Sequence, residues 1–209
     1  MNSLRPAALL VLCALACGGG HAARRDVLLP PAMDLTQYGR VGLVTFTTEN
    51  AKGKLAALAT SKFEEYVLGA QKGVEVLELG APEPLLQRAG ATDLGPAAAQ
   101  RLAADSNPVP VVFFGHLKVS NVKPSGGLLG ITHLEGTVTV ELTVALLSTK
   151  TGGTLWRSSS TRSEKIGGLS IVGGVPYFSA EDPNDAYGHL INALVYDVTY
   201  DFRSTWTRQ

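Results

Sequence analysis

Residues 135–148 read EGTVTVELTVALLS. Val138, Val140, Leu142, Val144 and Leu146 share one face of an extended chain, and Thr137, Thr139, Glu141 and Thr143 share the other. Successive side chains of a strand point to opposite faces. The alternation therefore predicts an antiparallel strand with one face in a core and a polar face outward. TKTGG (149–153) supplies a hairpin turn, and TLWRSSSTRSE (154–164) is the returning strand. Its low apolar content suits an edge or solvent-facing position.

Upstream, VPVVFFGHLKVSN (109–121) predicts another strand, with Pro110 tolerable only at its beginning or at an edge. A glycine-rich connection, VKPSGGLLGITH (122–133), joins it to the hairpin. RVGLVTF (40–46) is dense in apolar residues, as expected for a strand covered on both faces. Thr47, Thr48, Glu49 and Asn50 read as start signals for a helix over 51–70, in which Leu55, Ala59, Phe63, Tyr66 and Val67 share one face. Gly73 ends that segment, and VEVLEL (74–79) alternates as a strand. The unit is βαβ, for which a parallel pair with a right-handed crossover is the default. Residues 82–90 give a short helix or turn, and GPAAAQRLAADSN gives a helix with Pro96 in its first turn and Asn107-Pro108 as its stop.

Downstream, KIGGLSIVGGVPYFSA (165–180) reads as a long glycine-rich loop. A final helix over about 181–205 is opened by Glu181, Asp182 and Pro183 and striped by Tyr187, Leu190, Ile191, Leu194, Val198 and Phe202. The stripe reads as core packing, because the polar face lacks the lysines of a membrane-surface helix. The predicted fold class is α/β (α+β): a mixed sheet of about five strands, in the order β-α-β-α-β-β-β-α, with helices packed on it. No repeat of solenoid period is present.

The amino-terminal stretch has the parts of an export signal: Arg5, then the apolar run AALLVLCALA (7–16), then small residues. Ten apolar residues are too few to cross a bilayer, which takes about 20. Cleavage before Cys17 makes residues 1–16 a signal peptide, 17–38 a flexible tether stiffened by Pro30-Pro31, and 39–209 a single folded domain. Cleavage near Ala22 or Ala23, after GHAA, is the competing site. Cys13 and Cys17 are the only cysteines, and either cleavage removes Cys13. No disulfide can then form within the chain, and the domain must hold by its core. Net charge is zero, 18 basic against 18 acidic residues, with neither sign clustered. That argues against a nucleic-acid partner. Arg24 and Arg25 read as solvated tether residues.

No catalytic pattern survives inspection. Ser170 lies in GGLSIVGG, but the spacing to Gly173 is wrong for a nucleophile elbow. His21, His116, His133 and His189 lack metal-site spacing and read as structural, so no metal and no cofactor are expected. Glu64/Glu65 falls on a solvated helix face, while Glu181, Asp182 and Asp185 suit the start of a helix. The glycine-rich connections lack the strand-to-helix context of a phosphate loop. Nothing here points to an enzyme.

Two resemblances sharpen the reading. ALAC (14–17) resembles the lipobox of bacterial lipoproteins, with Ala14 where that family prefers leucine and Leu15 one position later. LPPAMDLTQYGRVGLVTF, VEVLEL, AAAQRLAADSNPVPVVFFG and VTVELTVALLSTKTGGTLWRSSS together resemble a periplasmic lipoprotein superfamily. It includes the curli-secretion channel lipoprotein, the outer-membrane activators of penicillin-binding proteins and the amino-terminal domain of the Tol-Pal translocation protein. Leu155-Trp156 after Gly152-Gly153 is the most specific match. The resemblance implies lipid attachment at Cys17 and an outer-membrane position facing the periplasm, since Gly18 stands where an inner-membrane retention signal has aspartate. It implies a non-enzymatic accessory in envelope biogenesis or secretion, with the membrane as one partner and an envelope protein or a second copy as another. Candidate interaction loops are Gly126, Gly127 and Leu128 in the first connection, and Gly167, Gly168, Gly173 and Gly174 in the second.

Two alternatives stand beside it. One is a subunit of an oligomeric secretion channel, using 122–133 and 165–180. The first has twelve residues with a proline and three glycines, too short for two membrane strands of about 9–11 residues each. The other is a soluble periplasmic ligand binder using the glycine loops and His116 or His133.

Overall fold

The structure, a computed structural model, describes residues 26–103, 108–125 and 134–208. The strands are β1 (Asp26–Leu29), β2 (Arg40–Val44), β3 (Thr47–Glu49), β4 (Lys52–Gly53), β5 (Glu75–Gly80), β6 (Val111–Ser125), β7 (Leu134–Ser148), β8 (Thr154–Val172), β9 (Val175–Phe178) and β10 (Thr205–Arg208). The helices are α1 (Leu55–Ala70), α2 (Pro82–Ala89), α3 (Pro96–Leu102) and α4 (Pro183–Val198). Among the described residues no helix is long and apolar enough to cross a membrane.

One mixed sheet of eight strands runs in the order β4-β9-β8-β7-β6-β2-β5, with β3 pairing β6 beyond the end of β2. The β2-α1-β5 unit is parallel, as the sequence predicts, and β6, β7 and β8 form an antiparallel meander. The five expected strands are all present within this larger sheet, to which short strands are added at its margins. Their brevity is why alternation over a long window does not reveal them.

The alternation in 135–148 sorts as expected. Val138, Val140, Leu142, Val144 and Leu146 are fully buried, facing Val111, Phe113, Leu117 and Val119 of β6 on the same side of the sheet. Helices α1 and α4 cover this side with Phe63, Val67, Leu190, Ile191 and Leu194. Each such side chain stabilises the fold by about 1.5–3 kcal/mol through burial. Gly115 of β6 makes room for Phe46: a Cβ there would lie 2.2 Å from the ring. On the opposite side, α2 and α3 cover only the end nearest Val112, packing Leu85, Ala98, Ala99 and Leu102 on Val44, Phe114 and Leu147.

Four expectations need correction. First, residues 165–180 are not a loop. β8 continues to Val172, and β9 returns from Val175, with Val172 opposite Val175. Gly173 (φ 60°) and Gly174 (φ 81°) form the two-residue turn. Positive φ at both central residues is the type I′ pattern of a two-residue hairpin, which two glycines supply at little steric cost. Gly167 and Gly168 accordingly lie inside a strand.

Second, Thr47–Asn50 do not open a helix. Thr47–Glu49 pair in parallel with His116–Lys118, and Asn50 adopts a left-handed conformation (φ 59°) that turns the chain before Leu55. The β-branched threonines favour the strand. Third, the last helix ends at Val198. Thr199 Oγ1 donates back to Val195 O (2.7 Å), a 3-10 turn at Tyr200–Phe202 follows, and TWTR becomes β10. Its threonines and tryptophan are strand formers.

Fourth, residues 26–38 of the expected tether belong to the folded unit. β1 pairs antiparallel with β10, Asp26 opposite Arg208 and Leu28 opposite Trp206. Leu35 is fully buried, and Asp34 Oδ1 accepts from Thr36 N (2.9 Å). Gln71, buried at the end of α1, holds the segment in place. Its Oε1 accepts from Leu35 N (2.9 Å), and its Nε2 donates to Phe202 O (2.6 Å) and Met33 O (3.3 Å). A polar side chain is tolerated there because its amide group is paired on both sides. Met33 N also donates to Asp201 O (2.9 Å).

Candidate interaction surface

The strand β8 shows how the sheet's two sides differ. From Trp156 to Ile166 its even-numbered residues face α4 and the turn after it: Trp156 Nε1 donates to Asp201 Oδ2 (2.9 Å), Ser160 Oγ and Arg162 Nε reach Asp197 Oδ2 (2.7 and 2.9 Å), and Glu164 pairs with His189 (2.8 Å). Burial raises the Asp197 pKa, but the bonds from Ser160 and Arg162 outweigh it and hold the carboxyl below the ordinary aspartate range. Trp156 also lies against Phe202, ring centres 4.6 Å apart. The odd-numbered residues Arg157, Ser159, Thr161, Ser163 and Lys165 are exposed.

They continue a polar field formed on the same side by Thr139, Glu141 and Thr143 of β7 and His116, Lys118 and Ser120 of β6. Glu49 of β3 anchors one end, pairing with Lys118 Nζ (3.1 Å) and His116 Nε2 (3.4 Å), while His116 Nδ1 contacts Thr47 Oγ1 (2.8 Å). The hydrogen bond from Lys118, and next that from His116, hold the Glu49 pKa below the ordinary glutamate value. Where α2 and α3 stop covering the sheet, a groove of about 440 Å³ opens between Leu86 and Asp93 on one wall and Phe114, His116, Thr143 and Arg157 on the other. The apolar floor and polar walls could admit a side chain or a small polar molecule.

At one end of the sheet β8 runs on into the second glycine-rich segment beside the start of β7. Leu134, where the first connection re-enters β7, pairs with Leu169 of β8. The β8–β9 hairpin therefore lies beside the root of the β6–β7 hairpin. Its tip exposes Ile171, Val172 and Tyr177. Gly168 (φ 64°) is a packing glycine: a Cβ would lie 2.4 Å from Ala180 Cβ, and its carbonyl accepts from Ser179 N (3.1 Å). Gly167 has open space around it, and Gly173 and Gly174 are exposed at the turn. Gly53 permits β4 to pair with β9, since a Cβ there would lie 2.2 Å from Phe178 O.

The candidates from sequence thus fall in three groups. Cys17, Gly126, Gly127, Leu128, His21 and His133 lie outside the described residues. Gly167, Gly168, Gly173 and Gly174 shape one hairpin. Ser170 Oγ donates to Tyr177 O (3.4 Å), and His116 and His189 each pair with a glutamate. Among the described residues no three His, Cys, Asp or Glu side chains are grouped to hold a metal. The uncovered polar sheet side was missed by motif searching. Its signal was the polar half of the alternation in β7, read beside SSSTRSE.

No protein-family model matches the sequence, and no curated protein matches it. Among solved structures the chain is similar to PelC of Paraburkholderia phytofirmans, a dodecamer, at 16% identity and a TM-score of 0.48, covering 86% of this chain and 96% of that one. It is similar to the lipoprotein GNA1162 of Neisseria meningitidis at 16% identity and a TM-score of 0.38, covering 60% and 83%. It is also similar to the LpoB C-terminal domain of Escherichia coli at 18% identity and a TM-score of 0.35, covering 63% and 88%. At these identities and scores the function proposed below rests on this chain's own residues.

Proposed function

We propose that this chain is a non-enzymatic lipoprotein of the bacterial outer membrane, attached through Cys17 and facing the periplasm. Its domain binds a protein partner in envelope biogenesis or secretion. One observation carries the binding role: the sheet side beyond α2 and α3 is uncovered and polar, and the exposed apolar residues Val172 and Tyr177 of the β8–β9 hairpin lie on that same side. Apolar anchors beside a polar field are the composition of a docking surface. The anchoring role comes from ALAC, and multiple acyl chains at about 0.8 kcal/mol per buried methylene make attachment lasting.

Site-specific photocrosslinkers at Thr161 and Val172 in the intact envelope test the first part. The expected outcome is one shared crosslinked protein, absent when the crosslinker sits at Lys72 in the turn after α1. No product at either position refutes the proposed surface. Cys17→Ala tests the second part: a variant that stays in the membrane fraction, with mass changed only by the substitution, refutes the anchor.

The hairpin tip also favours a second reading, a subunit of an oligomeric secretion channel in which that end contacts other copies. This predicts a stable high-order oligomer in detergent, and a monomer by light scattering refutes it.

A further inference from the structure

The ribbon of β1 and β10 stands apart from the main sheet. Leu28 and Trp206 are directly opposite in its register, so they project from the same side. They are 49% and 70% exposed, and Trp206 is the most exposed large hydrophobic side chain among the described residues. Leu29, 41% exposed, projects from the other side. A lone surface leucine needs no explanation. A tryptophan left in water opposite a leucine, on a strand pair that adds little to the core, does need one.

The ribbon's place in the fold supplies it. It joins the body at Met33 and Asp201, and Asp201 is bonded to Trp156 near the start of β8. That is the Val111–Ser148 end of the meander. The β8–β9 hairpin lies toward the other end, and β6 spans about 47 Å between the two ends in its fourteen steps. Asp26 follows Cys17 by nine residues, which reach at most about 32 Å when fully extended. Arg24 and Arg25 stand immediately before β1. A tryptophan with an apolar neighbour, on a ribbon preceded in sequence by two arginines and by the proposed lipid site, is suited to the headgroup region of a bilayer.

We infer that the β1–β10 ribbon is a membrane-contact element, in which Leu28 and Trp206 rest in the interface of the phospholipid bilayer and the hairpin end points away from it. The inference rests on the anchoring reading for its geometry. The ribbon sets the domain's orientation, and the docking surface faces the periplasmic space.

The test uses the purified full chain in vesicles of phosphatidylethanolamine and phosphatidylglycerol with brominated acyl chains. The two tryptophans are separated by subtracting the spectrum of Trp206→Phe, which should fold normally because the side chain is exposed. The mass of the amino-terminal peptide reports lipidation in the same sample. The expected result is a lipidated chain whose Trp206 emission shifts to the blue and is quenched at least about twofold more than that of Trp156. A lipidated chain whose Trp206 stays unquenched overturns the inference and leaves the anchor standing. If the peptide carries no lipid, the same vesicles are added to the soluble chain. Quenching of Trp206 then supports the ribbon's role while refuting the anchor, and no quenching refutes both. A bromine effect on a fluorophore at position 172 exceeding that on Trp206 overturns the orientation.

Discussion

Gln71→Leu offers a direct measure of how firmly the amino-terminal segment around Leu35 is fixed. The leucine has a similar volume but no amide. Leu35 N, Phe202 O and Met33 O lose their partner, and Leu35 and Phe202 are fully buried. A buried group left unpaired costs about 1–3 kcal/mol. Counting the two shorter bonds and discounting the 3.3 Å contact to Met33, the expected loss is about 2–6 kcal/mol. For a domain of this size that lowers Tm by roughly 4–24 °C. Urea unfolding followed by fluorescence, with the slope m unchanged, gives the free energy directly. Hydrogen exchange locates it: the Leu35 amide should exchange much faster in the variant, while amides in β7 should change only with global stability. Gln71→Glu keeps the acceptor for Leu35 N and removes both donors, so it should protect the Leu35 amide better than leucine does. A loss under about 1 kcal/mol, or unchanged exchange at Leu35, would refute the clamp.

Gly168→Ala should destabilise by about 1–3 kcal/mol, because the new methyl meets Ala180 at a positive φ; Gly167→Ala, with open space, should change stability by less than about 0.5 kcal/mol. Chemical denaturation of both variants checks this pair. Asp182→Ala should cost about 0.5–2 kcal/mol, since Asp182 Oδ1 accepts from Asn184 N and Asp185 N at the start of α4. Its thermal midpoint reports that. Glu49 should titrate below the ordinary glutamate value by NMR, and Lys118→Met should raise it. The folded pKa is depressed, so the stabilisation from this carboxylate is complete above the ordinary value and disappears as pH falls through the lowered one.

The central meander was legible because β7 is long, half buried and strictly alternating, and because the β2-α1-β5 unit carries a helical period between two dense strands. The hairpin 165–180 was misread because its four glycines resemble a flexible linker. The Gly-Gly pair is a turn only when Ile171-Val172 and Val175 are read as its two arms. β1 and β10 were hidden for a different reason: each is four residues long, and each exists through pairing with the other across nearly the whole described chain. No local window holds that information. The polar side of the sheet was visible residue by residue, but that α2 and α3 leave most of it bare is a property of packing.

The ribbon and the Gln71 contact lie in series between Cys17 and the core, so they form a load path. A pull on the domain through the proposed anchor at Cys17 would reach β1 before any strand of the main sheet. The four pairs with β10 are the first to yield, and Gln71 stops the peeling at Leu35. Releasing residues 26 to 34 adds nine more residues to the leash, about 30 Å of reach, without breaching the core. With the proposed anchor at Cys17, this arrangement would act as a two-stage fuse: short and oriented at rest, and extended under tension while the main sheet stays folded.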